Sequence, residues 1–430
     1  MSTEHTENSA DTALHFIPEM PDVPEKLDIP APLVTDLFMR RLYSEGQSSL
    51  LSLSQSLKLP FPLLLNVFHR LRKQQLFDVT GMVGKDYNFS ITGAGSDLAE
   101  KRFAISQYTG PAPVSVQSYR TATTAQTPKV ALNRTRLREA LSDLVLTESF
   151  LDELGRSLIA QTSLFLYGPT GNGKSSVAWR LPRVFDDAIL IPYAVEVDGQ
   201  IIIVYDPAVH EKIDADNDTI LDKRWILCRR PLVMVGGELE PHMLELQWDE
   251  TSKVYAAPLQ MKANNGILVI DDFGRQIVSP RYLLNRLIVP LDRRVDYLTL
   301  RYGVKFQIPF EMMVVFATNL NPDDLADEAF LRRIQNKVYV GNIEPQLFDE
   351  IFRRVLAKMN LPCEPGTPEY LRELCLTRGP GHLRACHPHD ILHIVASINA
   401  YENLPMEVTK TNLELATRTY FTRPTQFKDQ

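Results

Sequence analysis

Cysteine is scarce: Cys228, Cys363, Cys375 and Cys386 are the only four in 430 residues. None stands in a CxxC pair, and four are too few for a disulfide scaffold, so a reducing cytoplasm is the expected setting. Long apolar runs are missing as well. The best, Ile267–Ile270 and residues 312–317, fall far short of the roughly 20 residues that span a bilayer, so no membrane partner is expected. The amino-terminal residues lack a basic start and an apolar stretch, which argues against a secretory leader. Charge of one sign is lacking too, outside the first 30 residues. Those hold Glu4, Glu7, Asp11, Glu19, Asp22, Glu25 and Asp28 against Lys26 alone, so most of the net charge of -7 lies there. The remainder is near neutral, and the overall acidity says little about its partners.

What is present is ordinary soluble protein, 44% hydrophobic and 23% charged, of a length that suggests about three domains. Residues 1–30, acidic and with four prolines, read as a disordered tail. Residues 31–106 read as a small domain: three helical stretches, then Phe77-Asp-Val-Thr and Tyr87-Asn-Phe-Ser-Ile-Thr as a two-stranded hairpin around residues 81–85, then a helix from about Ala94 to Phe103. That order resembles a winged helix-turn-helix. DNA contact would run through His69, Arg70, Arg72 and Lys73 on the third helix. Yet residues 32–106 hold nine Lys/Arg against six Asp/Glu, a weak footprint for a DNA reader, so a docking or structural role is favoured over DNA. Residues 107–130, with three prolines and no acid, read as a linker.

The stretch that organises the chain is Leu164-Phe-Leu-Tyr-Gly168-Pro169-Thr170-Gly171-Asn172-Gly173-Lys174-Ser175-Ser176. Its order is strand, glycine-rich turn, helix, with the spacing of a phosphate-binding P-loop. Glycines at 168, 171 and 173 let the backbone turn its N–H groups toward phosphate oxygens. The helix that follows points its positive end at the same anions. Lys174 would reach the β- and γ-phosphates, and the Ser175 hydroxyl would ligate Mg²⁺. Between Lys174 and Asp271 the chain is longer than one helix and one strand require. Residues 183–258 read as a β-rich insertion, with hairpins at Asp198-Gly199 and 249–252, that either elaborates the nucleotide domain or meets a partner.

Gly266-Ile-Leu-Val-Ile-Asp271-Asp272 reads as a buried parallel strand ending in two acids. Asp271 is placed for the Mg²⁺ shell and Asp272 for the attacking water; alone, the pair also suits a helix start. The strand 312–318 ends at Asn319, placed to bond the γ-phosphate or the water. Arg332 and Arg333 follow an acidic stretch, Asp327-Glu328, and are candidates for an arginine finger. From about 344 to 420 the chain reads as helical. Inside it Cys386, His387, His389 and His393 invite a zinc reading, but no CxxC or HExxH spacing supports it, and the histidines read as helix residues.

Together these residues resemble the AAA+ ATPases. The resemblance rests on Gly168–Ser175 (Walker A), 267–272 (Walker B), Asn319 (sensor 1), Arg332/Arg333 and the helical stretch after 343, and covers about 131–420. Tyr297-Leu-Thr-Leu-Arg-Tyr-Gly-Val-Lys-Phe-Gln-Ile resembles the hairpin ahead of sensor 1 in the branch with MoxR-like chaperone ATPases. The resemblance implies an α/β fold with a doubly wound parallel sheet at 131–342, a helical lid at 343–422 and the winged-helix-like domain at the front. It implies ATP and Mg²⁺ as ligands, a homo-oligomeric ring, a hexamer first, and a protein client. Asp272 stands where the family usually has Glu, one methylene longer. That allows a slow or non-hydrolysing nucleotide switch, beside the further alternative of a DNA-associated ATPase. The family's sensor 2 position falls on Arg384 or His389.

Overall fold

Ile267–Ile270 and Met313–Thr318 contain no charged residue, and every side chain in both is buried. Strands of that kind need cover on both faces, which a helix-flanked sheet supplies. In the computed structural model, which describes residues 14–21, 23–128, 132–159, 163–214, 221–325 and 331–421, they lie in a five-stranded sheet. Its order is Leu232–Val235, Ile267–Ile270, Met313–Thr318, Ser163–Tyr167, Asn336–Tyr339. The last two pair in parallel, Asn336 opposite Leu164 and Tyr339 opposite Tyr167. The α/β class expected from the sequence is therefore the one observed, and a helical region follows it. By contacts the chain forms two compact units, 1–130 with 185–269 and 277–314, and 131–184 with 270–276 and 315–430.

In the first unit, helices Ala31–Glu45, Leu50–Leu57, Phe61–Lys73 and Gly93–Phe103 accompany a sheet ordered Gln47–Ser49, Asp86–Ile91, Phe77–Val83. The hairpin expected to have two strands has a third. Gly-Gln-Ser-Ser shows no apolar alternation, so nothing in it signals a strand; Ser49 ends it and caps the next helix by accepting the Ser52 N–H at 3.2 Å. Phe38, Phe68, Phe77 and Phe89 fill the centre, with Phe38–Phe89 centroids 5.8 Å and Phe68–Phe77 centroids 4.8 Å apart.

This core does not close on itself. It also takes in Ala194, Ile201 and Val254. The hairpin Ala194–Val197/Gln200–Ile203 turns through Asp198 (φ 50°) and Gly199 (φ 76°), the left-handed pair that a two-residue loop needs. Its side chains alternate. Ile201 faces the aromatic core, while Val195, Val197 and Ile202 face a second core with Tyr119, Trp225 and Ile308. The front domain and the insertion, expected as separate pieces, thus share one core.

Two further expectations are corrected. Residues 107–128 are no linker: Ala112 and Val114 are buried, and helix Val116–Ala125 packs Tyr119 inward. The Tyr119 hydroxyl donates to the Met261 carbonyl and accepts from Asn264 at 2.7 Å. Proline and missing acids misled because this extended strap lies against a core, where proline needs no partner for its nitrogen. The disordered tail does not reach residue 30 either. Leu27 and Ile29 are buried, and Asp28 binds Arg224 at 2.7 Å. Residues 1–13 and 22 lie outside the described ones.

The second unit holds Ser163–Tyr167 with helices Arg134–Ala140, Glu148–Ile159 and Lys174–Arg180. Its last stretch is helical as expected: Pro345–Met359, Thr367–Arg378, Cys386–Glu402 and Lys410–Tyr420 close on Phe348, Phe352, Leu371, Ile391, Val395 and Leu413.

Arg224 supplies a test of the first unit. Its side chain is 3% exposed; it bonds Asp222, itself 1% exposed, at 2.8 Å, Asp28, and the Pro113 carbonyl at 3.0 Å. Arg224→Met strands the Asp222 carboxylate and is expected to cost about 3–5 kcal/mol in urea unfolding at neutral pH. Burial pushes the Asp28 carboxyl up, but the Arg224 charge and bonds from Ser118 and Ser115 outweigh it and hold Asp28 below its ordinary 3.8. A depressed carboxylate stabilises above its unfolded value, and that contribution fades as pH drops below 3.8. The gap between wild type and variant should therefore narrow in acid; a gap constant from pH 7 to pH 3 would count against this pairing.

Candidate functional site

The strand Ser163–Tyr167 delivers the chain into the glycine-rich turn with Leu164, Phe165 and Leu166 fully buried. Gly168, Gly171 and Gly173 then take φ of 136°, 79° and 91°. At two of them space matters as much as conformation. A Cβ on Gly168 would stand 2.4 Å from the Val340 carbonyl oxygen, and one on Gly171 2.6 Å from Cys386 Sγ. The helix Lys174–Arg180 follows directly, with the Val177 N–H bonding the Gly173 carbonyl at 2.8 Å.

Lys174 is nearly buried. Its ammonium donates to the carbonyls of Gly168 and Pro169, both at 2.8 Å, and so lies along the inside of the loop. Burial pushes its pKa down, while the charges of Asp271 and Asp272 pull it back up. Both acids, far off in sequence, therefore act on the loop lysine.

The alternative account of the two acids, a helix start, does not hold. Residues 271–274 form turns, and the next helix, Pro280–Arg293, is capped by Ser279. Asp271 Oδ1 accepts the Asp272 N–H at 2.9 Å, and Asp272, exposed, sits at φ 46°, unusual for a residue with a side chain. Two residues that sequence reasoning missed fix this turn. Gln276 donates to the Asp271 carbonyl at 2.9 Å and accepts the Gly274 N–H at 2.8 Å. The Thr318 hydroxyl donates to the Phe273 carbonyl at 2.6 Å and accepts the Leu320 N–H. Asn319 follows Thr318, and its Oδ1 is buried with no hydrogen-bond partner. A buried acceptor of that kind calls for a donor from outside the protein, and a water or a ligand suits it.

Arg332 is exposed and Arg333 half-buried, its main-chain carbonyl accepting from Ser163 at 3.2 Å. The acidic stretch at Asp327 lies outside the described residues. Of the two sensor 2 candidates, Arg384 reaches the loop, donating to Thr170 Oγ1 at 3.2 Å. His389 instead has a side chain 59% exposed, with Nδ1 3.1 Å from Asp390 and its ring beside His393. His387 is buried between the rings of Tyr420 and Phe421, and burial pushes it down to about 4. Among the described residues, no group of three or more His, Cys, Asp or Glu is arranged to hold a metal ion.

A family model described as a domain of unknown function (DUF8689) matches residues 344–419, the four-helix stretch. No curated protein matches the sequence significantly. Among solved structures, the RuvB Holliday junction branch migration motor of Thermotoga maritima is similar over 68% of this chain and 72% of its own, at 12% identity and a TM-score of 0.36. NtrX from Brucella abortus is similar over 64% and 53%, at 13% identity and a TM-score of 0.35. Likenesses this loose do not bear on the chemistry of the site.

The tight approach at Gly171 can be measured. Gly171→Ala adds a methyl against Cys386 Sγ and is expected to cost about 1–3 kcal/mol in urea unfolding. In a Cys386→Ala background the nearest side-chain neighbour at that point becomes Arg384 Cδ, 3.4 Å away, and part of the loss should return, leaving the left-handed strain of about 1–2 kcal/mol. Strictly additive effects in this double-mutant cycle would place the two residues apart.

Proposed function

We propose that this chain is a Mg²⁺-dependent ATPase of AAA+ type that works as a homo-oligomeric ring, a hexamer first, in the cytoplasm, and remodels a protein partner. The observation that carries this is the meeting of Lys174, held inside a loop of three left-handed glycines, with the charges of Asp271 and Asp272. A structural turn has no use for a buried lysine within the field of two acids; a phosphate site with a metal does. The donor set fits magnesium, since the Ser175 hydroxyl and the Asp271 carboxylate are hard oxygen ligands, and Mg²⁺ commonly takes only one or two of these with phosphates and water. When bound, the ion neutralises charge developing on the transferred phosphoryl group.

The chain's own residues then have separate tasks. Loop N–H groups and Lys174 hold the phosphates. Asp272 and Asn319 orient water, the latter through its unpaired Oδ1. Arg384 would serve the phosphates as sensor 2, in preference to the exposed His389, a reading supported by its bond to Thr170. Arg332 or Arg333 from a neighbouring subunit would steady the transition state, so that hydrolysis waits on assembly. The short, exposed Asp272 favours slow turnover over fast, and a nucleotide switch is the limiting case. The exposed His69, Arg72 and Lys73, with Arg70 bonded to Thr35 at 2.7 Å, leave DNA as the less favoured partner.

Lys174→Ala should abolish ATP binding in calorimetry, because the phosphates lose the loop's cation; affinity within a few-fold of wild type would refute the site. Replacing Arg332 and Arg333 together by alanine should keep ATP affinity and lower turnover by about a hundredfold or more. Mixing that variant with Lys174→Ala should restore part of the hydrolysis, since some interfaces then pair an intact loop with intact arginines. A co-assembled mixture as inactive as either parent would return both arginines to a structural role.

A further inference from the structure

The side chain of Asn172, 5% exposed, is bonded at both its nitrogen and its oxygen, and by two stretches of chain that sequence reading left apart. Its Nδ2 donates to Asn342 Oδ1 at 3.1 Å, and its Oδ1 accepts the Ala385 N–H at 3.2 Å. Neighbouring loop residues are held from the same side: the Cys386 N–H donates to the Gly171 carbonyl at 2.9 Å, and Arg384 to Thr170. The stretch 340–343 runs beside the loop from its start, with the Val340 N–H on the Tyr167 carbonyl at 2.8 Å. It is tied to the other stretch in turn, through the Ile343 N–H on the Leu383 carbonyl at 3.2 Å. Residue 343 lies two residues before the first helix of the helical region, and 386 begins its third. One carboxamide therefore joins the loop to both places where the helical region comes up to it.

We infer that Asn342 is a positioning residue that, provided nucleotide binds at this loop as proposed above, passes the change in loop shape to the helical region through Asn172. The physics is local. Lys174 now lies on the Gly168 and Pro169 carbonyls, and it must leave them to reach a phosphate. Movement of the loop bears on Thr170, Gly171 and Asn172, the three residues that 384–386 grip. Asn342 supplies the second anchor of the Asn172 side chain, so that its other end stays aimed at the Ala385 N–H. Without that anchor the carboxamide is held by the Ala385 bond alone, and the loop moves with less pull on 383–386. Asn342 is itself exposed, and its replacement leaves no buried group of its own unpaired.

The full-length chain tests this by hydrogen–deuterium exchange with and without Mg²⁺ and the non-hydrolysable analogue adenylyl imidodiphosphate, with calorimetry alongside. Wild type should bind the analogue and change protection at 383–390. Asn342→Ala should bind within about threefold of wild type, yet show less than about half of that change. Asn342→Asp keeps an oxygen acceptor for the Asn172 N–H and should behave as wild type. Ala385→Pro removes the other bond at a φ of -63° that proline accepts, and should lose the change as Asn342→Ala does, which serves if the first variant folds poorly. An undiminished change in Asn342→Ala, or an Asn342→Asp as impaired as the alanine variant, would overturn the role of Asn342. Wild type that fails to bind the analogue at all would overturn the nucleotide site itself, and this role with it.

Discussion

No side chain can stand at residue 168 or 171 without moving something else. The Val340 carbonyl occupies the first place and the Cys386 thiol the second. That double close approach is what the second unit is built on. It lets the strand Asn336–Tyr339 continue along the loop, brings the start of helix Cys386–Glu402 onto it, and leaves Lys174 the carbonyls of the loop as its neighbours. Phosphate-binding loops need glycine for the direction of their N–H groups; here glycine is also needed for what presses on the loop from outside.

The other unit is secured differently, by ion-paired arginines, two of them, Arg224 and Arg230, buried in its interior and a third, Arg286, half-buried. Arg224 meets Asp222 and Asp28; Arg230 meets Asp187 and the carbonyls of Gln126 and Asn265; Arg286 meets Asp296 and Glu245. Buried ion pairs add little net stability over apolar packing, but each forbids arrangements that leave a charge alone. Every one of them joins segments distant in sequence or different in kind: tail to insertion, strap to strand, helix to hairpin. For irregular segments such as 205–214, which bury few apolar residues, fixed polar partners are an effective way to specify a path.

What could be read from the sequence followed from short-range signals. Apolar runs gave the central strands, Asp198-Gly199 gave the hairpin, and the glycine spacing gave the loop, because each is encoded within a dozen residues. The placing of Thr318 over Phe273, and of Gln276 under Asp271, was not legible: a threonine at the end of a strand and a glutamine in a turn carry no mark of their partners. The choice between Arg384 and His389 stayed open for the same reason. It depends on which residue precedes the first turn of helix Cys386–Glu402, a boundary that periodicity places only within a few residues. The strap 107–128 was misread because composition measures solvation in general, and this segment meets a particular apolar surface.

The two-faced hairpin at 194–203 has a consequence for how the protein is made. Its Ala194 and Ile201, with Val254, complete the aromatic core begun by Phe38 and Phe68, yet they leave the ribosome long after them. Synthesis adds about 5–20 residues per second, so the early helices wait on the order of ten seconds with one apolar side uncovered. A nascent chain in that interval displays a hydrophobic surface whose own partner does not yet exist, and it is open to whatever else binds such surfaces. The length of that wait is written into the order of the segments along the chain, and rearranging the order would change it without altering a single contact in the finished molecule.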